Sequence, residues 1–354
     1  MRYKLLGRTG LRVSEFCLGT MTFGEDWGWG ASRDECARIV DAFAEAGGNF
    51  IDTAHFYTNG TSEQIVGELV ASDRDHWVLA TKYGLSTRPD DPNAGGAHRK
   101  SIVRQLERSL KRLGTDHVDL YWLHVWDVFT PVEEVVDALD DVVHAGKALY
   151  VGISDTPAWV VSRAVTLAEL RGRSRFVALQ VPYSLVRREV ERDLLPMARA
   201  LELTVTSWEP LGGGLLSGRY GTGRDLPDDT RIATTQYQQM LTEHNLRITD
   251  RLNEVAAERG ASSAQLALAW VRAQQERAAV VPIIGARRRE QIDDSLGALA
   301  IELSATELDR LDAVSRIELG FPHDFEGRAL AYGDSYGLID DGRPGSESLH
   351  PIAR

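Results

Sequence analysis

The chain has 354 residues, of which 43% are hydrophobic and 26% are charged. These fractions match ordinary globular proteins and exclude the intrinsically disordered, collagen-like and low-complexity classes. The sum of 40 Lys and Arg against 52 Asp and Glu gives a formal net charge of −12, which makes nucleic acid an unfavourable partner.

Membrane and secretory signals are not found in the sequence. No apolar run approaches the ~20 residues that cross a bilayer, so we expect no membrane partner. The first residues lack the apolar core of a signal peptide. The two cysteines, Cys17 and Cys36, are too few for a disulfide framework and favour a reducing compartment. We therefore expect a cytoplasmic protein.

In chain order, the first predicted element is a β-hairpin formed by residues 3–6 and 12–15. After it, short β-rich apolar runs alternate with longer segments in which apolar residues recur at three- and four-residue steps. Continuous apolar runs of this kind are typical of parallel strands covered by helices. The eight predicted strands are residues 16–20, 49–54, 77–82, 118–124, 148–154, 176–182, 203–208 and 280–285. The clearest predicted helices are residues 32–46, 99–113, 250–259 and 262–274.

Eight strand–helix units without a break in composition predict one α/β domain over residues 1–354, a (β/α)₈ TIM barrel. A long loop at residues 212–250 separates the seventh and eighth strands, and residues 316–354 form a C-terminal loop extension. The alternative is a doubly wound Rossmann sheet, which requires G-x-G-x-x-G after an early strand. Residues 18–24, L-G-T-M-T-F-G, do not contain that pattern.

Four polar side chains follow or end neighbouring predicted strands, where a barrel of this type has its active site. Asp52 and Tyr57 follow the second strand, Lys82 ends the third and His124 ends the fourth. Each alone has an ordinary explanation as a helix cap, a rim residue or a surface lysine, but together they are chemically complementary. Lys82 would pair with Asp52 and lower the pKa of the Tyr57 phenol, a proton donor for a carbonyl oxygen that His124 also contacts. His55, between Asp52 and Tyr57, is predicted to lie at the rim.

Several motifs resemble those of the aldo-keto reductase superfamily, from Met1 to about Phe325. L-G-R-T-G-L-R-V-S and L-G-T-M-T-F-G are similar to the N-terminal signature of its bacterial members. N-F-I-D-T-A-H-F-Y, A-T-K-Y-G and D-L-Y-W-L-H resemble the segments with the family's catalytic Asp, Tyr, Lys and His. The resemblance implies NADPH-dependent reduction of an aldehyde or ketone by direct hydride transfer without a metal. It also implies that the catalytic residues are Asp52, Tyr57, Lys82 and His124, with Tyr57 as proton donor.

The same resemblance implies an NADP(H) site. Three adjacent arginines, Arg287, Arg288 and Arg289, precede a predicted helix and favour NADP(H) over NAD(H), since arginine binds phosphate in a bidentate manner. Asp155 and Ser295 stand where the family commonly has Asn, Glu209 where it has Ser, and Arg219 where it has Lys. The implied cofactor residues are Gly19, Thr20, Met21, Asp52, Ser154, Asp155, Gln180, Trp208, Glu209, Pro210, Leu211, Gly213, Ser217, Arg219, Gly285, Arg287, Gln291, Asp294 and Ser295.

Aromatic side chains in the loops after the first and fourth strands are candidates for the substrate pocket. An aromatic lining suits an apolar or planar carbonyl compound, although packing beneath a loop explains each side chain singly. The predicted substrate residues are Trp27, Trp29, Tyr57, His124, Trp126 and Phe129. Two other functions stay open: an NADPH-binding regulatory or redox-sensing subunit with slow turnover, and a dedicated sugar or secondary-metabolite ketoreductase. No pattern specifies an oligomeric state.

Overall fold

Eight parallel strands close into a barrel in the computed structural model of the protein, which describes residues 1–224, 232 and 236–325. Strands β1 (Tyr3–Leu5) and β2 (Arg12–Ser14) form a separate antiparallel hairpin. The barrel strands are β3 (Cys17–Gly19), β4 (Phe50–Asp52), β5 (Val78–Tyr83), β6 (Val118–Leu123), β7 (Ala148–Ser154), β8 (Phe176–Pro182), β9 (Thr204–Trp208) and β10 (Val280–Gly285). Each pairs with its chain neighbours, and β10 closes the barrel against β3. This closure confirms the TIM barrel and excludes the open Rossmann sheet.

Helices surround the barrel and begin where the sequence supplies caps. The hydroxyl of Ser32 accepts the backbone N–H of Glu35 at the start of the first helix. Ser262 and Gln265 form a capping box at the start of the helix Ser263–Ala273. The helices are α1 (Arg33–Glu45), α2 (Thr61–Val70), α3 (Arg99–Leu113), α4 (Val132–His144), α5 (Ala158–Leu170), α6 (Leu194–Ala200), α7 (Glu243–Arg259), α8 (Ser263–Ala273), α9 (Arg289–Gly297) and α10 (Ala305–Ser315). None of the helices in the described part of the chain could cross a membrane.

The β1–β2 hairpin closes the end of the barrel where the strands begin. Leu6 and Val13 join the hydrophobic cluster inside the barrel, and the backbone N–H of Gly7 donates to Oγ1 of Thr204 at 2.7 Å. Gly7 has a φ of 54°, and a Cβ atom there would lie 2.3 Å from the carbonyl oxygen of Val177, so only glycine fits. Because this end is closed, access to the barrel is from the end where the strands finish.

The predicted loop at residues 212–250 ends earlier than expected, because α7 begins at Glu243 instead of residue 250. The hydroxyl of Thr242 accepts the backbone N–H of Asn245 and caps this helix, whose first turn is polar and therefore lacks a hydrophobic period. Residues 225–231 and 233–235 of the predicted loop, and residues 326–354 of the predicted tail, lie outside the described residues. The eight strand predictions agree with the structure within two residues at every end. That the chain is a single domain stays a prediction.

Candidate active site

A lysine ammonium lies at the centre of a polar cluster at the open end of the barrel. Asp52 is the last residue of β4, and Lys82 is the penultimate residue of the neighbouring strand β5. The Lys82 side chain is 0% exposed and its Nζ forms a short ion pair with Oδ2 of Asp52. Nζ also donates to the carbonyl oxygen of Thr53 and to Oη of Tyr57, both at 3.0 Å. On the other side, Nε2 of Gln180 donates to Oδ1 of Asp52 at 3.0 Å.

Tyr57 is held in place by a strained turn. Thr58 and Asn59 adopt φ values of 44° and 57°, which non-glycine residues rarely adopt. Oγ1 of Thr58 donates to the carbonyl oxygen of Phe23 at 2.7 Å and accepts the backbone N–H of Ser62 at 3.0 Å. These bonds stabilise the turn and fix the phenol beside Nζ of Lys82, which lies 4.6 Å from the centre of the Tyr57 ring.

The pKa shifts of Lys82 and Tyr57 indicate whether each group carries its proton at neutral pH. Burial opposes the charge of Lys82, but Asp52 and Tyr57 raise the lysine pKa above its ordinary value. Burial raises the pKa of Tyr57, and the charge of Lys82 lowers it by a smaller amount, so the net pKa is raised. The expectation of a lowered phenol pKa is therefore wrong in its net direction, although Lys82 acts as predicted. Both groups carry their protons at neutral pH.

His124 immediately follows β6, and its backbone N–H donates to the carbonyl oxygen of Tyr83 at 2.9 Å. The His124 ring lies edge-on to the Tyr57 ring, with 5.9 Å between the ring centres. Its Nδ1 is buried and has no hydrogen-bond partner among the described residues. Burial, followed by the charge of Lys82, lowers the His124 pKa well below its ordinary value. The ring is therefore neutral and carries one N–H donor.

Beside this cluster, Ser154 ends β7 opposite Gln180 of β8. The buried hydroxyl of Ser154 has no partner within the part of the chain that the structure describes, and such a group is suited to a polar ligand. Asp155 adopts a φ of 41°, and its Oδ1 accepts Nε1 of Trp208 at 3.1 Å. Burial raises the pKa of Asp155 to about 6. The unpaired hydroxyl and adjacent carboxyl fit the carboxamide of a nicotinamide.

The segment after β9 contains an acidic side chain whose charge is compensated. Oε2 of Glu209 accepts Nη1 of Arg187 at 3.3 Å, and Oε1 accepts the hydroxyl of Tyr237. The guanidinium of Arg187 also lies 5.2 Å from the centre of the Trp208 ring. Gly213 has a φ of 65°, and a Cβ atom there would lie 2.7 Å from the Tyr237 ring. Tyr237 therefore packs directly against the glycines predicted to approach the cofactor.

Of the three consecutive arginines, Arg289 forms ion pairs and the other two do not form them with any described residue. Arg289 pairs with Asp293 at 2.9 Å and with Glu45 of α1 at 3.1 Å, which joins α9 to α1. Arg287 and Arg288 form no ion pair with any described residue. A helix begins at Arg289, and the N-terminus of a helix attracts anions. Two of the three guanidinium groups are thus available to a phosphate.

Three other predicted adenosine contacts are already engaged within the fold. Oε1 of Gln291 accepts the backbone N–H of Arg287 at 2.8 Å. The two carboxylate oxygens of Asp294 accept the Ser262 hydroxyl and the Gln265 amide, each at 2.9 Å. Ser295 is buried and donates to the carbonyl oxygen of Gln291. Asp294 therefore holds α9 against α8, whereas Gln291 and Ser295 are bonded within α9 and the turn before it.

The remaining predicted cofactor residues lie at the same open end of the barrel. Gly19 ends β3 and Gly285 ends β10, while the hydroxyl of Thr20 donates to the backbone of Asp52 at 3.1 Å. Met21, Pro210, Leu211, Ser217 and Arg219 occupy the loops that follow β3 and β9. No group of three or more His, Cys, Asp or Glu within the described ranges could hold a metal ion.

Three aromatic rings pack together between the loop after β3 and the residue before Tyr57, and one of them, Phe56, is not among the predicted substrate residues. Trp27 packs against Trp29 with 5.7 Å between ring centres, and against Phe56 at 5.9 Å. Phe56 directly precedes Tyr57, and this position was the signal that could have identified it. Trp126 packs against the main hydrophobic core, whereas Phe129 is 92% exposed. Trp27 and Trp29 of the first loop thus form an aromatic wall with Phe56, while Phe129 is exposed to solvent.

Known proteins resemble this chain over most of its length. The model described as Aldo/keto reductase family matches residues 15–316. Aldo-keto reductase ausK of Aspergillus calidoustus is 37% identical over 92% of this chain and 85% of its own length. Norsolorinic acid reductase stcV of Emericella nidulans is 38% identical, covering 89% and 82%. Putative aryl-alcohol dehydrogenase AAD14 of Saccharomyces cerevisiae is 34% identical, covering 91% and 88%.

Proposed function

Since the chain belongs to the aldo/keto reductase family, we propose that it is an NADPH-dependent carbonyl reductase in which Tyr57 donates the proton. The observation that carries this proposal is the partly buried hydrogen bond of 3.0 Å from Nζ of Lys82 to Oη of Tyr57. A phenol that carries its proton and lies beside a fixed positive charge is a suitable general acid for an oxygen that becomes negative.

Each of the four clustered residues has a separate role in the proposed reaction. When bound, the nicotinamide supplies a hydride to the carbonyl carbon. Tyr57 gives its proton to the carbonyl oxygen, and Nζ of Lys82 stabilises the phenolate that remains. Asp52 balances the lysine charge, which could not be buried alone. The neutral ring of His124 donates its N–H to the same oxygen and so orients and polarises the carbonyl.

The cofactor would be held at both ends of the open face. Ser154, Asp155 and Gln180 would hold the carboxamide, and the unpaired Ser154 hydroxyl supports this. Arg287, with Arg288 beside it, would bind the 2′-phosphate that distinguishes NADPH from NADH. The glycine-containing loop after β9 would cover the pyrophosphate. A cytoplasmic location, where NADPH is the reductant, is part of the same proposal.

The substrate we propose is an aryl aldehyde or ketone. The wall of Trp27, Trp29 and Phe56, which directly precedes Tyr57 in the chain, offers flat apolar surfaces that suit a planar ring. Relatives named aryl-alcohol dehydrogenase and norsolorinic acid reductase support an aromatic substrate. The second candidate, a dedicated secondary-metabolite ketoreductase, would use the same site with a narrower choice of substrate.

The test is a panel of aryl aldehydes, aryl ketones, aliphatic ketones and keto-sugars, followed by the loss of NADPH absorbance. We expect the aryl compounds to give the highest kcat/KM. Tyr57→Phe should lower kcat by about 10²- to 10⁴-fold with little change in NADPH affinity, because general acid catalysis contributes that much. If the wild type bound NADPH but reduced no carbonyl, a regulatory subunit would be the better description.

A further inference from the structure

A buried histidine contacts the main chain of Lys82, one of the four residues proposed to be catalytic (Asp52, Tyr57, Lys82 and His124). His55 lies in the chain between Asp52 and Tyr57, and the prediction that it is a rim residue is wrong, because it is only 3% exposed. Its Nδ1 lies 2.8 Å from the carbonyl oxygen of Lys82, and its Nε2 lies 2.9 Å from that of Leu85. The ring therefore spans the turn that follows β5, with each nitrogen within hydrogen-bond distance of a carbonyl oxygen.

The bond to Lys82 continues the strand pairing after the strand itself has ended. The backbone N–H of Thr53 donates to the carbonyl oxygen of Ala80 at 2.9 Å, which is one step of the parallel ladder between β4 and β5. In the next step, the N–H of residue 55 would bond to the carbonyl of Lys82. The chain has turned away by then, since the N–H of Tyr57 donates to the carbonyl of Ala54 at 3.1 Å. The His55 side chain occupies that position instead.

We propose that His55 is a positioning residue that holds the Lys82 main chain, and hence Nζ, in register with Asp52 and Tyr57. This inference rests on the proposed function, because the position of Nζ matters through Tyr57. Both partners are carbonyl oxygens, which only accept, so each bond requires a ring N–H. Burial lowers the pKa of His55 below its ordinary value, so the ring is neutral and its single N–H donates to only one of the two oxygens. We assign the Nδ1 proton to the Lys82 bond as the one that catalysis needs.

Two amide variants separate the two bonds. The shorter side chain in His55→Asn puts its NH₂ near the original Nδ1 and keeps the bond to Lys82. The longer side chain in His55→Gln puts its NH₂ near Nε2, where it can donate to the Leu85 carbonyl but not to that of Lys82. We expect the Asn variant to retain kcat within about threefold, and the Gln variant to lose about tenfold, as the loss of one buried hydrogen bond predicts. KM, NADPH affinity and melting temperature should be similar in both.

Equal losses in the two variants, or full activity in the Gln variant, would overturn the proposal. A second readout does not depend on activity: the pKa of Tyr57, measured by NMR with Cζ-labelled tyrosine and assigned with Tyr57→Phe. His55→Gln should raise this pKa relative to the wild type, because Nζ moves away from the phenol, and His55→Asn should not. This shift would support the positioning role even if no carbonyl were reduced, so the two proposals fail separately.

A measurement on the wild type covers the case in which the variants do not fold. The ¹⁵N spectrum of histidine-labelled protein reports which ring nitrogen of His55 carries a proton. We expect a protonated Nδ1 at neutral pH. An unprotonated Nδ1 would mean that no N–H points to the Lys82 carbonyl, and the proposal would be wrong.

Discussion

The four residues proposed to be catalytic, Asp52, Tyr57, Lys82 and His124 (the catalytic cluster), contrast with the segment proposed to bind phosphate, residues 285–295 (the phosphate segment). In the cluster, the side chains converge on one point, and Lys82 bonds to both Asp52 and Tyr57. In the phosphate segment, neighbouring side chains point to different partners, and Asp294 and Arg289 hold helices together. The two regions differ because the ends of adjacent barrel strands must converge, whereas side chains in the first turn of a helix also contact neighbouring helices.

The largest effect should come from removing the central charge of the cluster. Lys82→Met leaves the buried Asp52 without an opposite charge, which costs about 3–5 kcal/mol of unfolding free energy, and removes the charge beside Tyr57. We expect kcat/KM to fall by at least about 10²-fold, within the range for a lost acid–base component. The matched control is the double variant Asp52→Asn/Lys82→Met, which should recover stability in urea denaturation but not activity. Recovery of activity would separate catalysis from the ion pair.

In the phosphate segment, Arg287→Ala should weaken NADPH binding about 10- to 100-fold more than NADH binding, since a charge-assisted bond to phosphate is lost. Fluorescence titration with both cofactors measures this ratio. Arg289→Ala is the control, because that guanidinium is engaged by Asp293 and Glu45 and its loss should not change the ratio. The same ratio change in both variants would mean that the segment attracts phosphate only by its general charge.

The buried carboxyl of Asp155 makes the free energy of unfolding depend on pH. Burial raises its pKa from 3.8 to about 6, so the unfolded chain loses this proton first as pH rises. The stability contribution of Asp155 is therefore full below pH 3.8 and is lost as pH rises through about 6. Asp155→Asn keeps an oxygen for Trp208 and should be more stable at pH 7 by up to about 3 kcal/mol. Urea denaturation of both proteins from pH 4 to 8 checks this; a constant difference would contradict it.

The smallest effect tests the structural role of Asp294. Asp294→Ala removes two hydrogen bonds to the start of α8 and should cost about 1–2 kcal/mol of unfolding free energy. NADPH affinity should stay within about twofold if the carboxylate only holds the helices. A large loss of affinity with unchanged stability would show instead that Asp294 contacts adenosine, as the family resemblance implies.

The sequence pattern alone predicted the barrel, which the structure confirms, and the four polar residues that the structure brings together at its open end. Continuous apolar runs predict buried parallel strands because burial is encoded locally, and strand order then brings the ends of β4, β5 and β6 together. The hydrogen-bond partners of side chains outside the cluster could not be predicted from the sequence. The partners of Glu209, Asp294 and Ser295 come from elements far along the chain or from the helix's own turn, and no local pattern specifies which one is chosen.

Only the tertiary structure decided the environment of each group. The net pKa of Tyr57 depends on how much burial outweighs the charge of Lys82, and composition contains no measure of that balance. The role of His55 likewise depends on where β4 ends, because its ring reaches the Lys82 carbonyl only after the backbone has turned away. Hydrophobic periodicity is a property of neighbouring residues, whereas desolvation and hydrogen-bond choice are properties of the packed molecule.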